Sequence, residues 1–184
     1  AGAGLAAFEE PSLPLPEGAQ TLVYRATDLL GHVAEAAVAV RVDNTPPAIA
    51  VSIGGPKVAA GSVTYVTSAT PITASAVDAG VGVATFEEPE YPLAEGVRTL
   101  TFRATDLLGN EAVTSITVVV DNTPPTTTLV VDIKDTTGTV LIPESRIVLD
   151  AEDAPAGGAS GVGSMTFSID GETEVEYSAP FMPR

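Results

Sequence analysis

The 184-residue chain contains no cysteine. Disulfides therefore contribute nothing to its stability, and thiol or thiolate-metal chemistry is excluded. That absence neither demands nor refuses secretion. Basic residues are scarce, 8 against 24 acidic ones, and the resulting net charge of −16 repels nucleic acid and anionic membrane surfaces. The same balance favours solubility and leaves carboxylates free for cations. Aromatic side chains make up only 5% of the chain, and His32 is the single histidine. No run approaches the roughly 18 apolar residues of a membrane helix. The opening residues Ala1 to Leu5 lack a basic region followed by an apolar stretch. Neither an export signal nor a membrane span is expected, and no direct membrane insertion.

What the chain has instead is an internal period. The stretch Thr21–Gly31, followed by Val42–Pro47, returns as Thr99–Gly109 followed by Val120–Pro125, and each copied position lies 78 residues from its partner. Between Gly4–Pro47 and Gly82–Pro125, 27 of 44 positions are identical without insertion. A strict period of this kind means stacked copies of one small unit, and the chain holds a little over two such units.

Strand patterns dominate. Leu100, Phe102 and Ala104 alternate with Thr99, Thr101, Arg103 and Thr105, the period-2 pattern of a half-buried strand, and Leu22, Tyr24 and Ala26 repeat it. After a turn with Gly109 available for positive φ, Ile116, Val118 and Val120 alternate with Ser115, Thr117 and Val119, and Val38, Val40 and Val42 are their counterparts. Upstream, Ile72, Ala74 and Ala76 face inward, as do Ile147, Leu149 and Ala151 in the third copy. Ala48–Ile53 and Ser62–Val66 read as one opening strand, split at the Gly54-Gly55-Pro56 breaker. Gly82–Glu88 is a further strand ended by Pro89, and Asp170-Gly171 marks a hairpin. Helical periodicity is absent. About seven short strands between Pro46 and Asn122 predict an all-β antiparallel sandwich.

The run from Glu95-Gly96 through Thr99–Asn110, followed by Val120-Asp121-Asn122-Thr123-Pro124-Pro125, resembles the bacterial Ig-like repeats of large secreted and cell-surface proteins. Tyr177 to Phe181 resembles the segment that precedes Glu-Gly in that family. The resemblance implies tandem Ig-like, fibronectin-III-like sandwiches. On this frame residues 1–45 are the C-terminal part of one repeat, 46–123 a complete repeat, and 124–184 the N-terminal part of another. It carries little about activity, because a fold does not bring a function with it. Ala1 aligns with Ala79, so each terminal copy is half a sandwich, with an apolar face and open edges, as expected of a stretch of a longer repeat protein.

In an Ig-like topology the loop after the second strand, the last hairpin turn and the incoming linker meet at one end of the domain. For the middle unit that gathers Asp78, Asp106 with Asn110, and Asp43 with Asn44. These are the hard oxygen donors calcium prefers. The next junction offers Asp121, Asn122 and Asp153, with Asp150 and Glu152 nearby. The placement is similar to calcium between successive cadherin domains, although the paired Asp-x-Asp loop of that family is missing. A calcium site here would be weak, of about millimolar affinity. The competing reading is that Asp28 and Asp106 cap their turns, and Asp43 and Asp121 their linkers, by accepting backbone N–H groups.

Other chemistry is poorly supplied. Glu9-Glu10 and Glu87-Glu88 pair carboxylates as glycosidases do, but neighbours on a strand point to opposite faces, so they read as surface charge. His32 replaces Asn110 in a turn and has no partners for a zinc site. No Gly-x-Ser-x-Gly elbow occurs, and the Gly157–Gly163 loop lacks the Lys-Ser/Thr and helix of a phosphate cradle. Tyr24, Phe86 and Phe102 belong to the core, Tyr91 and Tyr177 near the proline-rich rim are available to a sugar or a partner, and Arg25 and Arg103 pair with surface glutamates. Pro46-Pro47 and Pro124-Pro125 make short, semi-rigid connectors. These features predict a non-enzymatic spacer or stalk at a bacterial cell surface, whose partners are neighbouring Ig-like repeats. Two alternatives stand beside it. One is a filament in which the tail of one chain completes the head of the next by strand addition. The other is an adhesion module for carbohydrate or protein.

Overall fold

The computed structural model describes residues 4–132, 141, 143, 145–154 and 158–182; Ala1 and Gly157, used in the sequence reading, lie outside them. Among the described residues there are strands and no helix, hence none long and apolar enough to cross a membrane. The strands are β1 (Leu5–Glu9), β2 (Gly18–Asp28), β3 (Val33–Val42), β4 (Ala48–Ile53), β5 (Lys57–Ala60), β6 (Val63–Val66), β7 (Ile72–Val77), β8 (Val83–Glu87), β9 (Gly96–Asp106), β10 (Glu111–Val120), β11 (Thr126–Asp132), β12 (Arg146–Glu152), β13 (Thr166–Phe167) and β14 (Val175–Glu176). They assemble as β1-β2-β3, β5-β6-β10-β9-β8, β4-β7, β11-β12 and β13-β14. The chain forms two compact units. One comprises Ala1–Val51, Ala74–Glu88 and Thr101–Thr114, the other Ser52–Thr73, Pro89–Leu100 and Ser115–Arg184.

In the first unit β2 and β3 pair antiparallel from Gly18↔Val42 to Thr27↔Val33. The intervening turn works because Gly31 takes φ +85, open to glycine at no steric cost. β1 lies on β2 with a bulge between Leu5 and Ala7, and β8 lies on β9 with the equivalent bulge between Val83 and Thr85. Phe8 faces Ala26 across its pair as Phe86 faces Ala104. The repeat in sequence is thus a repeat in register. Phe8 also stacks on Tyr24, with centroids 6.3 Å apart.

Alternation on β9 is carried through to burial. Leu100, Phe102 and Ala104 are buried while Val97, Thr99, Thr101 and Arg103 are exposed. Apolar side chains every second residue put one face of the strand away from water, and the β-branched threonines of the other face suit the pleat. On β2 the same phase holds, but Leu22, Tyr24 and Ala26 are only half-buried. Outward-facing Arg25 pairs with Glu35, its direct cross-strand partner, and Arg103 pairs with Glu111.

In the second unit two expectations change. Ser62–Val66 does not continue the opening strand alone, because Lys57–Ala60 forms a separate strand, β5, antiparallel to β6. Gly61 at φ +63 reverses the chain between them. β6 then pairs parallel to β10 through Tyr65↔Val119 and Val66↔Val120. Val119, outward by alternation, is nonetheless buried at 7% exposure. Gly158 lies so close that an added Cβ would stand 3.2 Å from Val119 Cγ1. β11 and β12 pair without interruption from Thr126↔Glu152 to Asp132↔Arg146. The β13–β14 hairpin turns through Asp170 (φ 51) and Gly171 (φ 77), both in the left-handed region a tight I′ turn needs.

Candidate functional site: the two carboxylate-lined seams

The Asp-Asn-Thr-Pro-Pro segments lie where one copy hands over to the next, and both are built the same way. At the first seam Asp43 is only 5% exposed. Its Oδ1 accepts the N–H of Thr45 two residues on (3.2 Å), capping its own linker, and its Oδ2 accepts the N–H of Val81 (2.6 Å) from the loop after β7. That reach requires glycine at position 80. A Cβ there would fall 1.7 Å from Asp43 Oδ2.

Asp78 shapes the same loop by accepting the N–H groups of Gly80 and Gly82 at 3.0 and 2.7 Å. Asp106, 2% exposed, holds the β9–β10 turn. Its Oδ1 accepts Leu108 N–H (2.9 Å) and Asn110 N–H (2.8 Å), and its Oδ2 accepts Asn110 Nδ2 (2.8 Å). The same Nδ2 donates to the carbonyl of Asp43 at 3.1 Å, so the turn is tied to the seam. Arg41 donates to the carbonyl of Ala79 at 2.8 Å.

Carboxylate oxygens of Asp43, Asp78 and Asp106 consequently lie within 4.8 Å of one another. Burial pushes the Asp106 carboxyl up, but the hydrogen bonds from Asn110, Leu108 and Gly109 outweigh it and hold the group below the usual carboxylate range. At the equivalent turn of the first copy, Asp28 is likewise held down, chiefly by the hydrogen bond from His32 (Nδ1 to Oδ2, 2.9 Å).

At the second seam Asp121, 7% exposed, accepts Thr123 N–H at Oδ1 (3.2 Å) and Ser160 N–H at Oδ2 (2.7 Å). Ser160 holds its carboxyl below the ordinary value, against a smaller opposing push from burial. Asp153, the counterpart of Asp78, accepts Gly161 N–H at Oδ2 (2.7 Å), and Ser160 Oγ lies 3.4 Å from the same oxygen. Its Oδ1 is buried without a hydrogen-bond partner.

Sequence reasoning grouped Asn44 with Asp43 and Asn122 with Asp121 as oxygen donors. Asn44 instead turns to Glu17, whose Oε2 accepts its backbone N–H (3.0 Å) and its Nδ2 (3.4 Å). Asn122 gives both donors to Glu95 Oε2 at 3.0 Å each, and its Oδ1 accepts Ser68 N–H at 2.7 Å. Glu17 and Glu95 were missed as seam residues. The available signal was a Glu-Gly pair copied at a fixed 27 residues before each asparagine. Asp150 and Glu152 are exposed on β12. The Glu87 carboxylate lies 3.9 Å from Arg103 on the open face of its sheet.

Most of these seam contacts position backbone; they link a linker, a loop and a turn through side-chain oxygens. No curated protein and no solved structure matches the chain. Residues 84–159 match the family model of the bacterial Ig-like domain (group 3), a span of roughly one repeat period that crosses the Asp121–Pro125 seam.

Proposed function

We propose that this chain is a non-enzymatic spacer segment of an extracellular bacterial surface protein or appendage, built from tandem Ig-like repeats. One observation carries the reading. At each seam a buried aspartate divides its two oxygens between its own linker and the loop of the following copy, while a glutamate clamps the adjacent asparagine. Proline pairs remove backbone donors and favour extended backbone there. Such a joint holds successive repeats in a set relation, as a spacer requires and a flexible tether does not. Small-angle scattering from the whole chain tests this. A sharply bounded distance distribution that broadens in the double variant Asp43→Ala, Asp121→Ala is expected; a distribution already broad in the wild type rejects the reading.

Calcium is part of the proposal. Asp43, Asp78 and Asp106 would hold it, and the cation would offset three converging carboxylates, two of them buried. Because each carboxylate also accepts backbone N–H groups, the site would be weak and of extracellular type, about millimolar. Melting temperature followed during calcium titration should rise in the wild type and not in Asp78→Asn. A flat wild-type titration removes the ion from the account and leaves the hydrogen-bonded seam standing.

A further inference from the structure

The two seams differ in one respect that the repeat does not explain. At the first, Arg41 holds the position of Val119 and donates to the carbonyl of Ala79, and the Asp78 carboxylate reaches four residues ahead, to Gly82. At the second, a valine replaces the arginine and the Asp153 carboxylate reaches eight residues ahead, to Gly161. Within that longer reach Gly158 rests on Val119, so close that a Cβ would stand 3.2 Å from Val119 Cγ1 and 4.0 Å from Tyr65 Cε1. Ser160 is fixed beside it through its N–H to Asp121 Oδ2 at 2.7 Å.

Val58, Tyr65 and Val119 stand side by side on one face of β5, β6 and β10, since Val58 pairs with Tyr65 and Tyr65 with Val119. Gly158 covers Val119 and leaves the other two open, Tyr65 half-buried and Val58 51% exposed. A cleft of about 180 Å³ results, lined by Val58 and Tyr65 with Lys57, Thr67, Asp121 and Ser160 around them. All of it lies within the second unit. The Tyr65 hydroxyl makes no hydrogen bond to any described residue. Lys57 Nζ gives one of its three donors to the carbonyl of Ile53 at 2.6 Å. Ser160 Oγ has only a long contact, 3.4 Å, to Asp153.

Hydroxyl, ammonium and carboxylate groups set around an aromatic ring suit a neutral sugar. The C–H face of a pyranose lies against the ring while its hydroxyls give and take hydrogen bonds at the edge. Other ligands fit less well. An anion meets a chain of net charge −16, a cation meets the Lys57 ammonium, and a purely apolar molecule leaves the polar groups unpaired. The volume falls below that of drug-sized sites, which limits the ligand to one ring. We propose that this cleft binds a single neutral sugar ring, the terminal residue of a glycan, with Tyr65 against its face and Ser160 and Lys57 on its hydroxyls. The site needs two successive copies, because Tyr65 comes from one and Ser160 from the next. It does not depend on the spacer reading, which fails or stands on scattering alone.

Saturation-transfer NMR on the 184-residue chain tests the site, with the methyl glycosides of glucose, galactose, mannose and N-acetylglucosamine as probes. At least one should bind with a dissociation constant of about 1 mM, the affinity a ligand of that size supports. No transfer from any of them at about 20 mM overturns the site. Tyr65→Ala should weaken binding about tenfold or more, and Tyr65→Phe less, because stacking survives loss of the hydroxyl. Val58→Glu, at an exposed position, should abolish binding with the circular dichroism spectrum unchanged. Wild-type binding in either Tyr65→Ala or Val58→Glu overturns the assigned cleft. A trisaccharide carrying the bound sugar at its non-reducing end should bind as the methyl glycoside does; equal binding with that sugar in the interior overturns the terminal assignment.

Discussion

Phe102 and Tyr24 occupy one position of the repeat in two surroundings, and their removal should read that difference directly. Phe102 is fully buried, so Phe102→Ala should cost about 3–5 kcal/mol in urea denaturation. Tyr24→Ala leaves no closed cavity behind and should cost less than half as much. Gly80→Ala should cost about 1–3 kcal/mol, because the new methyl displaces the buried Asp43 carboxylate. A wild-type midpoint for that variant would mean the seam yields easily. For pH, Asp28, Asp106 and Asp121 all have carboxyls held below the ordinary range when folded. The unfolded chain therefore takes up protons first as pH falls. Their contribution is full above the ordinary carboxylate range and is lost as pH drops through the lowered folded values, so stability should stay level from neutrality and decline below about pH 4. Asp106→Asn should lower stability at neutral pH and make the acid decline shallower. Alternation made Phe102 legible from sequence, whereas Gly80 was not. Its necessity arises from a carboxylate 37 positions away in the chain, and nothing local to Gly80 announces that approach.

At the scale of elements, the strands with period-2 patterns were readable because burying one face of a sheet imposes that period. β7, β9 and β12 appear where their alternation places them, and β8 falls within Gly82–Glu88, the strand read as ended by Pro89. β5 was not readable, since Lys57–Ala60 is exposed throughout and pairs only by its backbone. A strand without an apolar face leaves no periodic trace. Val119 failed for a related reason: the covering Gly158 belongs to a loop of the next copy, so burial there is a tertiary event. The seam aspartates were legible as turn caps, and that reading matches their backbone contacts. Glu95 was not, because its bonds to Asn122 and Thr123 bridge 27 and 28 residues. Glu95→Ala should destabilise by about 1 kcal/mol, while Glu111→Ala, which removes only an exposed partner of Arg103, should change stability by less. Paired thermal melts of the two variants separate a positioning carboxylate from a solvated one.

For the molecule as a whole, the repeated unit and its all-β class were evident from a period and a strand pattern, and the family match at residues 84–159 agrees with both. The β6–β10 pairing carries a further consequence. The two strands run parallel, and Asp121 N–H continues their ladder onto the carbonyl of Val66 at 2.8 Å. β10 leads directly into the downstream linker, whereas β4 and β5 separate β6 from the upstream one. Tension applied to the downstream linker therefore draws β10 lengthwise along β6, loading their hydrogen bonds together instead of peeling them singly. Resistance to being pulled open is set by an unfolding rate, not by equilibrium stability. Single-molecule stretching should find that Val66→Pro, which removes one N–H from this ladder, lowers the rupture force far more than a proline placed on the exposed edge at Val58.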